Sequence, residues 1–173
     1  MLAETEAATR TNISYLTTRD GSLETAYLLK QQRLVVVKSL IGVIESTNTR
    51  EVKDSAAMVL GDYRALEAIP CLVSNIQQDT MFKWDTVMMT EAQRKPFGAA
   101  LANIGEPAVP ALLDHITVVP LVESERVADH CLEVMVRIIG KERAAALLRA
   151  RMEALNYPEL DERFKRLLAK TQT

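Results

Sequence analysis

An internal repeat governs the reading of this 173-residue chain, because self-similarity at a fixed period decides the architecture before any local propensity does. From Ala56 the sequence runs AAMVLGDYRALEAIPCLVSNI, and from Ala100 it runs ALANIGEPAVPALLDHI. Ile104-Gly105 matches Leu60-Gly61, Ala108-Val109-Pro110 matches Ala68-Ile69-Pro70, and Leu112, Leu113 and Ile116 match Leu72, Val73 and Ile76, with four residues lost from the turn. A more degraded copy follows Met135, where Ile139-Gly140 stands for Ile104-Gly105, Leu148 and Met152 take the Leu112 and Ile116 slots, and the proline is gone. Each copy reads as two antiparallel helices. A glycine able to take positive φ stops the first, and a proline whose missing N–H is harmless in a first turn opens the second. On this reading Gly61, Gly105 and Gly140 are turn residues.

The glycines are spaced 44 and 35 residues apart, bracketing the roughly 40 to 47 of HEAT and armadillo units. Together with the Leu-Gly and Ala-Ile-Pro or Ala-Val-Pro motifs, this resembles the HEAT-like repeat family, especially the short repeats first recognised in phycobilin lyases. The resemblance is specific over about residues 50–116 and extends more loosely to about 156. It implies an all-α fold, a right-handed α-solenoid (superhelix) of antiparallel helix pairs with helical caps, occupying 1–173 as one domain. Its parts are an N-terminal cap or degenerate repeat over 1–47, a repeat over 48–78, an insert over 79–89, a repeat over 90–117, a degenerate repeat over 120–156 and a cap helix over 157–170.

The flanks agree with helices. Between Ser22 and Ser46 apolar residues recur at three- and four-residue spacing, while Val35-Val36-Val37 argues for a strand only locally, without sustained alternation. Asn48 and Glu51 form a capping-box-like start, and Thr90 with Gln93 another, although Pro96 should break or kink the helix that follows. After Tyr157-Pro158, Leu160, Phe164, Leu167 and Leu168 share one face, as a solenoid cap requires. The polar, Thr-rich first 20 residues read as a short helix around Ile13 to Leu16 or as a tail. The insert carries the only Trp, and Phe82 and Trp84 either fold back on the repeats or serve as contacts for a partner.

Composition narrows the function. Lys and Arg number 21 against 23 Asp and Glu, so no overall field advertises nucleic acid or an anionic membrane. The charge is unevenly placed: residues 1–140 carry 13 basic and 18 acidic groups, and 141–173 carry 8 and 5. No run approaches the roughly 18 apolar residues of a membrane span, and the start lacks the pattern of a signal peptide, so a cytoplasmic location is expected. Two cysteines, Cys71 and Cys131, exclude a disulfide framework. Phosphate loops, zinc-binding spacings and serine nucleophile motifs are absent, so no catalytic, cofactor or metal site is expected. His130 and Cys131 are adjacent and diverge by about 100° on a helix, which suits a structural role better than a shared metal.

Repeats of this type bind along the face lined by their second helices. Counting from the proline position places Asn75, His115 and Arg151 on that ridge, with Ser74 and Asp114 beside them. The expectation is a non-enzymatic module or scaffold for a protein or peptide partner, using this ridge and Phe82 and Trp84. The resemblance also implies two alternatives: a phycobilin-lyase-like protein that handles a chromophore, and a DNA-binding protein like the HEAT-like glycosylases. The first is disfavoured by the 5% aromatic content, the second by a ridge with one sure cation.

Overall fold

Pro96 divides the middle of the chain as its chemistry requires, and the helix it opens is the one around which its neighbours gather. The computed structural model describes residues 22–46, 49–81, 90–118, 125–155 and 158–172. In order they form α1 (Ser22–Glu45), α2 (Arg50–Asp62), a 3₁₀ turn (Leu66–Ala68), α3 (Ile69–Asn75), α4 (Gln78–Met81), α5 (Glu91–Arg94), α6 (Pro96–Ile104), a second 3₁₀ turn (Glu106–Ala108), α7 (Val109–Val118), α8 (Glu125–Ile139), α9 (Lys141–Leu155) and α10 (Pro158–Gln172). The fold is all-helical, with no strand among the described residues. The chain divides into two units after Ser39, inside α1, and residues 40–173 form the second. The helix expected over Ser22 to Ser46 is present, whereas Ile13 to Leu16 lie outside the described residues.

Within residues 40–173, α6 is the central element. Seven of its nine residues are buried, including Phe97, Ala100 and Leu101, and only the side carrying Ala102 and the exposed Asn103 is open to solvent. It packs on α2, α3 and α8, while α7 packs on α3 and α8, and α9 on α8 and α10. Leu60, Leu72, Ile76, Phe97, Leu101, Leu112, Ile116, Met135, Leu148, Phe164 and Leu167 are fully buried between these helices. Each such side chain contributes about 1.5 to 3 kcal/mol. The repeat equivalents Leu72 and Leu112, and Ile76 and Ile116, all belong to this set, so the periodicity records a shared core.

The turns correct the first matching of the copies. Gly61 is not a turn residue: it lies inside α2, buried, and a Cβ there would come within 2.6 Å of the Ala100 Cα. Its lack of a side chain lets α2 and α6 touch backbone to backbone. The stop is made two residues after Asp62, where Arg64 adopts φ 47°. The Ala65 N–H reaches the Leu60 carbonyl at 3.1 Å and the Arg64 N–H reaches that of Gly61 at 3.0 Å, the paired bonds of a Schellman motif with arginine where glycine is usual. The counterpart of Gly105 is therefore Ala65. Ala68 N–H bonds the Ala65 carbonyl at 3.0 Å and Ala108 N–H that of Gly105 at 2.9 Å. Each opens a 3₁₀ turn leading to a helix with proline near its start, so the turn loses no residues between copies. Gly105 and Gly140 do take positive φ, 88° and 81°.

The starts of α2 and α5 also answer the sequence. Thr90 and Gln93 form a reciprocal capping box, the Thr90 N–H bonding Gln93 Oε1 at 2.9 Å and the Gln93 N–H bonding Thr90 Oγ1 at 3.3 Å. Pro96 then ends that turn and begins α6 anew after a bend at Lys95. At α2 the N-cap is Thr49, which makes no side-chain cap bond, and Asn48 lies outside the described residues.

Candidate functional site

The start of α6 creates an electrostatic demand that its own sequence does not meet. Pro96 has no N–H, but Phe97 and Gly98 in the same buried turn each present one, and the N-cap residue is Lys95, which has no acceptor side chain. The acceptor comes from α4. Asp79 is fully buried in its side chain, and its Oδ2 accepts from the Gly98 N–H at 2.7 Å while Oδ1 accepts from that of Phe97 at 3.3 Å. The carboxylate thus caps a helix it does not belong to, where the dipole favours negative charge.

His130 of α8 completes the arrangement. Its Nε2 lies 3.0 Å from Asp79 Oδ2 and its Nδ1 lies 3.0 Å from Glu133 Oε2, one helical turn further on. The same Glu133 oxygen accepts from Lys95 Nζ at 2.6 Å. With a carboxylate oxygen at each ring nitrogen, an imidazolium donates to both, whereas a neutral ring can donate to only one. Neither nitrogen is left free to take a proton from a substrate, so the arrangement ties α4, α6 and α8 together rather than acting as a general base. Gly98 makes the approach possible, since a Cβ there would fall 2.7 Å from His130 Nε2 and 3.0 Å from Val134 Cγ2. Burial acts to raise the Glu133 pKa, but the hydrogen bonds from Lys95 and His130 outweigh it and hold the carboxyl below its ordinary range.

Outside this network lies a hollow of about 580 Å³. The residues lining it include Arg126, Asp129, His130, Glu133 and Val136, whose spacing puts them along one side of α8, and lysines from three other places: Lys95, Lys141 and Lys170. Asp129 is held by Lys170 at 2.6 Å and lies 3.4 Å from Arg166. Nearby, buried Arg163 donates to the Ile116 carbonyl at 2.8 Å, a cation at the last turn of α7. Its pKa is lowered by burial and by the neighbouring Arg166. Cys131 is buried next to this face, and desolvation pushes its thiol up to about 12, which leaves it without thiolate character. Among the described residues no group of three or more His, Cys, Asp or Glu is placed to hold a metal ion.

The residues singled out from the sequence fall mainly elsewhere. Ser74 is exposed and donates to the Pro70 carbonyl at 2.9 Å; Asn75 donates to that of Cys71 at 2.9 Å and accepts from Gln78 at 2.7 Å. Asp114 and Arg151 are brought together as an ion pair joining α7 to α9. His115 is half-buried, and burial lowers its pKa. No hydrogen bond or ion pair among the described residues links Ser74 or Asn75 to the Asp114–Arg151 pair. Phe82 and Trp84 lie outside the described residues, as does most of the expected insert, whose first residues form α4 instead.

No sequence motif singles out Asp79, Lys95 or Glu133, and the helical spacing gives His130 a structural or surface role. One local signal pointed to them: a helix opened by Lys95-Pro96 needs a distant acceptor. No family model, curated protein or solved structure matches the chain.

Proposed function

We propose that the chain is a short HEAT-like α-solenoid, a right-handed stack of antiparallel helix pairs, that works as a non-enzymatic module or scaffold holding a protein or peptide partner along its second helices. The observation that carries this reading is the 40-residue correspondence of Leu66–Ala68 with Glu106–Ala108, each turn leading into a second helix. The packing is in keeping with it: α2, α6 and α8 neighbour one another as successive first helices, and α3 neighbours α7 as successive second helices. Stacked units of this kind cover each other's apolar faces and leave one continuous surface for binding. The ion pairs Arg143–Glu106, at 2.8 Å, and Arg151–Asp114 brace that surface from one unit to the next. No helix among the described residues is long and apolar enough to cross a membrane.

The test is retention of a partner from lysate by the wild-type chain beside the Asn75→Ala/His115→Ala/Arg151→Ala variant, with melting temperatures measured in parallel. The reading expects a stoichiometric protein held by the wild type and lost by a variant that still melts cooperatively. Equal retention by both baits would remove the second-helix face as the binding surface, and recovery of only pigment or nucleic acid would remove the protein-binding reading altogether.

A further inference from the structure

The helix α6 lies between α2 and α8 and meets them on opposite sides. A Cβ on Gly98 would fall 2.7 Å from His130 Nε2 of α8, while Ala100, about 200° further round α6, touches Gly61 of α2. α2 has two such sides as well, and the one carrying Gly61 is covered by α6. On the other, about 160 to 180° round the helix from Gly61, Val52 and Val59 are 45% and 38% exposed, and the ring of Tyr63, 45% exposed at the C-cap, continues the stripe. The three side chains span about 16 Å along the helix axis. One edge of the stripe is closed by Ala56 and Leu60, which are buried in the core. The other edge is acidic. Glu51 and Asp62 lie about 80 to 100° from Val52 on that side, are exposed, and make no side-chain hydrogen bond or ion pair among the described residues. The cations of this region stand elsewhere: Arg50 is paired with Asp54 at 3.2 Å, Lys53 lies on the Leu60 side of the stripe, and Arg64 follows the helix in left-handed backbone.

We propose that this side of α2 docks a basic amphipathic helix of a partner protein, its apolar face on Val52, Val59 and Tyr63 and its cations over Glu51 and Asp62. The shape follows from the packing. α2 offers the side opposite the one that α6 covers, just as α6 offers opposite sides to its own two neighbours, so the occupant is a helix laid along α2. Such a helix reads the stripe through apolar residues spaced three, four and seven apart. The charge follows from the acidic edge, which a row of lysines or arginines complements and a row of carboxylates repels. A second copy of the chain is the poorer occupant. A two-fold contact sets one patch against itself, and two antiparallel α2 helices would bring Glu51 and Asp62 against the same pair. The stripe shares no residue with the second-helix ridge of Asn75, His115 and Arg151, so it stands or falls independently of the partner binding proposed there.

The experiment is a fluorescence-anisotropy titration of the full chain against a labelled amphipathic helix of leucine and lysine about four turns long. Two controls accompany it: a permuted peptide of the same composition without the apolar stripe, and the leucine–glutamate counterpart. The expected result is saturable 1:1 binding, weakened about tenfold or more in Val52→Asp/Val59→Asp and about threefold or more in Glu51→Gln/Asp62→Asn, with both controls at least about tenfold weaker. The second variant is close to isosteric and exposed, so it tests the charge argument even if the first does not fold. The proposal is overturned if the wild type does not saturate, if either control binds as tightly as the probe, or if both variants bind like the wild type. Sedimentation and melting temperature decide between the other occupants. A wild-type dimer that the valine variant converts to a monomer would give the stripe to a second copy. A valine variant melting about 10 °C or more below the wild type would give it to the chain's own residues. Either outcome overturns the proposal.

Discussion

Replacing Asp79 by alanine removes the one acceptor that the first turn of α6 possesses, and the cost can be worked from the contacts. The variant leaves the buried Gly98 and Phe97 N–H groups, bonded at 2.7 and 3.3 Å, without a partner, and strips His130 Nε2 of the oxygen 3.0 Å away. A hydrogen bond to a charged group contributes about 1.5 to 3 kcal/mol, and the longer bond to Phe97 belongs at the bottom of that range. Removing one member of a buried pair costs about 3 to 5 kcal/mol. These terms overlap, so the expected loss is about 3 to 5 kcal/mol against a total stability of about 5 to 15. Asparagine keeps one acceptor oxygen, and Asp79→Asn should lose about 1 to 3 kcal/mol. Urea unfolding followed by circular dichroism reads this directly: at a slope near 2 kcal/mol per molar, the alanine variant should unfold about 2 M earlier. The asparagine variant remains measurable even if the alanine variant does not fold. A double-mutant cycle of Asp79→Asn with His130→Gln should return a coupling of about 1 kcal/mol or more. A midpoint shift below about 0.5 M for Asp79→Ala would refute the claim that α6 depends on a borrowed cap.

Three further outcomes are expected. Gly61→Ala places a Cβ 2.6 Å from the Ala100 backbone and should destabilise by about 1 to 3 kcal/mol by forcing α2 from α6. Gly42→Ala, with open space around it, should stabilise by about 0.5 to 1 kcal/mol through helix propensity; thermal melts that gave both substitutions the same sign would sink the distinction. Because Arg64 sits at φ 47°, Arg64→Gly should be more stable than Arg64→Ala by about 1 kcal/mol, a comparison in which the loss of the arginine side chain cancels. Burial lowers the His115 pKa and hydrogen bonds from Lys95 and His130 lower that of Glu133 below the ordinary range of each group, so the unfolded chain takes up protons first and stability falls as the pH drops through each window. His115→Gln should flatten the decline below about pH 6.5 and Glu133→Gln the one below about pH 4.5, the latter only slightly because Glu133 is half exposed. Unaltered pH–stability curves in both variants would contradict the assignment.

What the sequence disclosed, and what it withheld, divides along the reach of the interactions. Ala68-Ile69-Pro70 and Ala108-Val109-Pro110 announce their turns because φ, the missing N–H and the small side chain act within a few residues. Leu72, Ile76, Leu112 and Ile116 announce their burial because helical spacing is local too. Gly61 misled for a physical reason: glycine serves either a positive φ or a close approach, and the sequence does not say which. The positive φ was taken by Arg64, a residue type that gives no such signal. Ser74 and Asp114 are exposed and Asn75, His115 and Arg151 partly so, as their places in the helical pattern suggest. That Arg151 is engaged by Asp114 was not, because the partners stand 37 residues apart. The same holds for Asp79 and His130, separated by 51.

Two of these distant bonds bear on how the molecule comes apart. Asp79 of α4 completes the first turn of α6, and Arg163 of α10 ties the end of α7 across 47 residues. The helices of this chain therefore depend on partners far away in sequence. Excising residues 120–156 would remove the His130 that braces Asp79, and excising the terminal helix would leave the last turn of α7 without its buried cation. Residues 40–173 should consequently gain and lose structure in one step, and shortened chains made by deleting a unit should collapse as a whole rather than persist as smaller folded proteins.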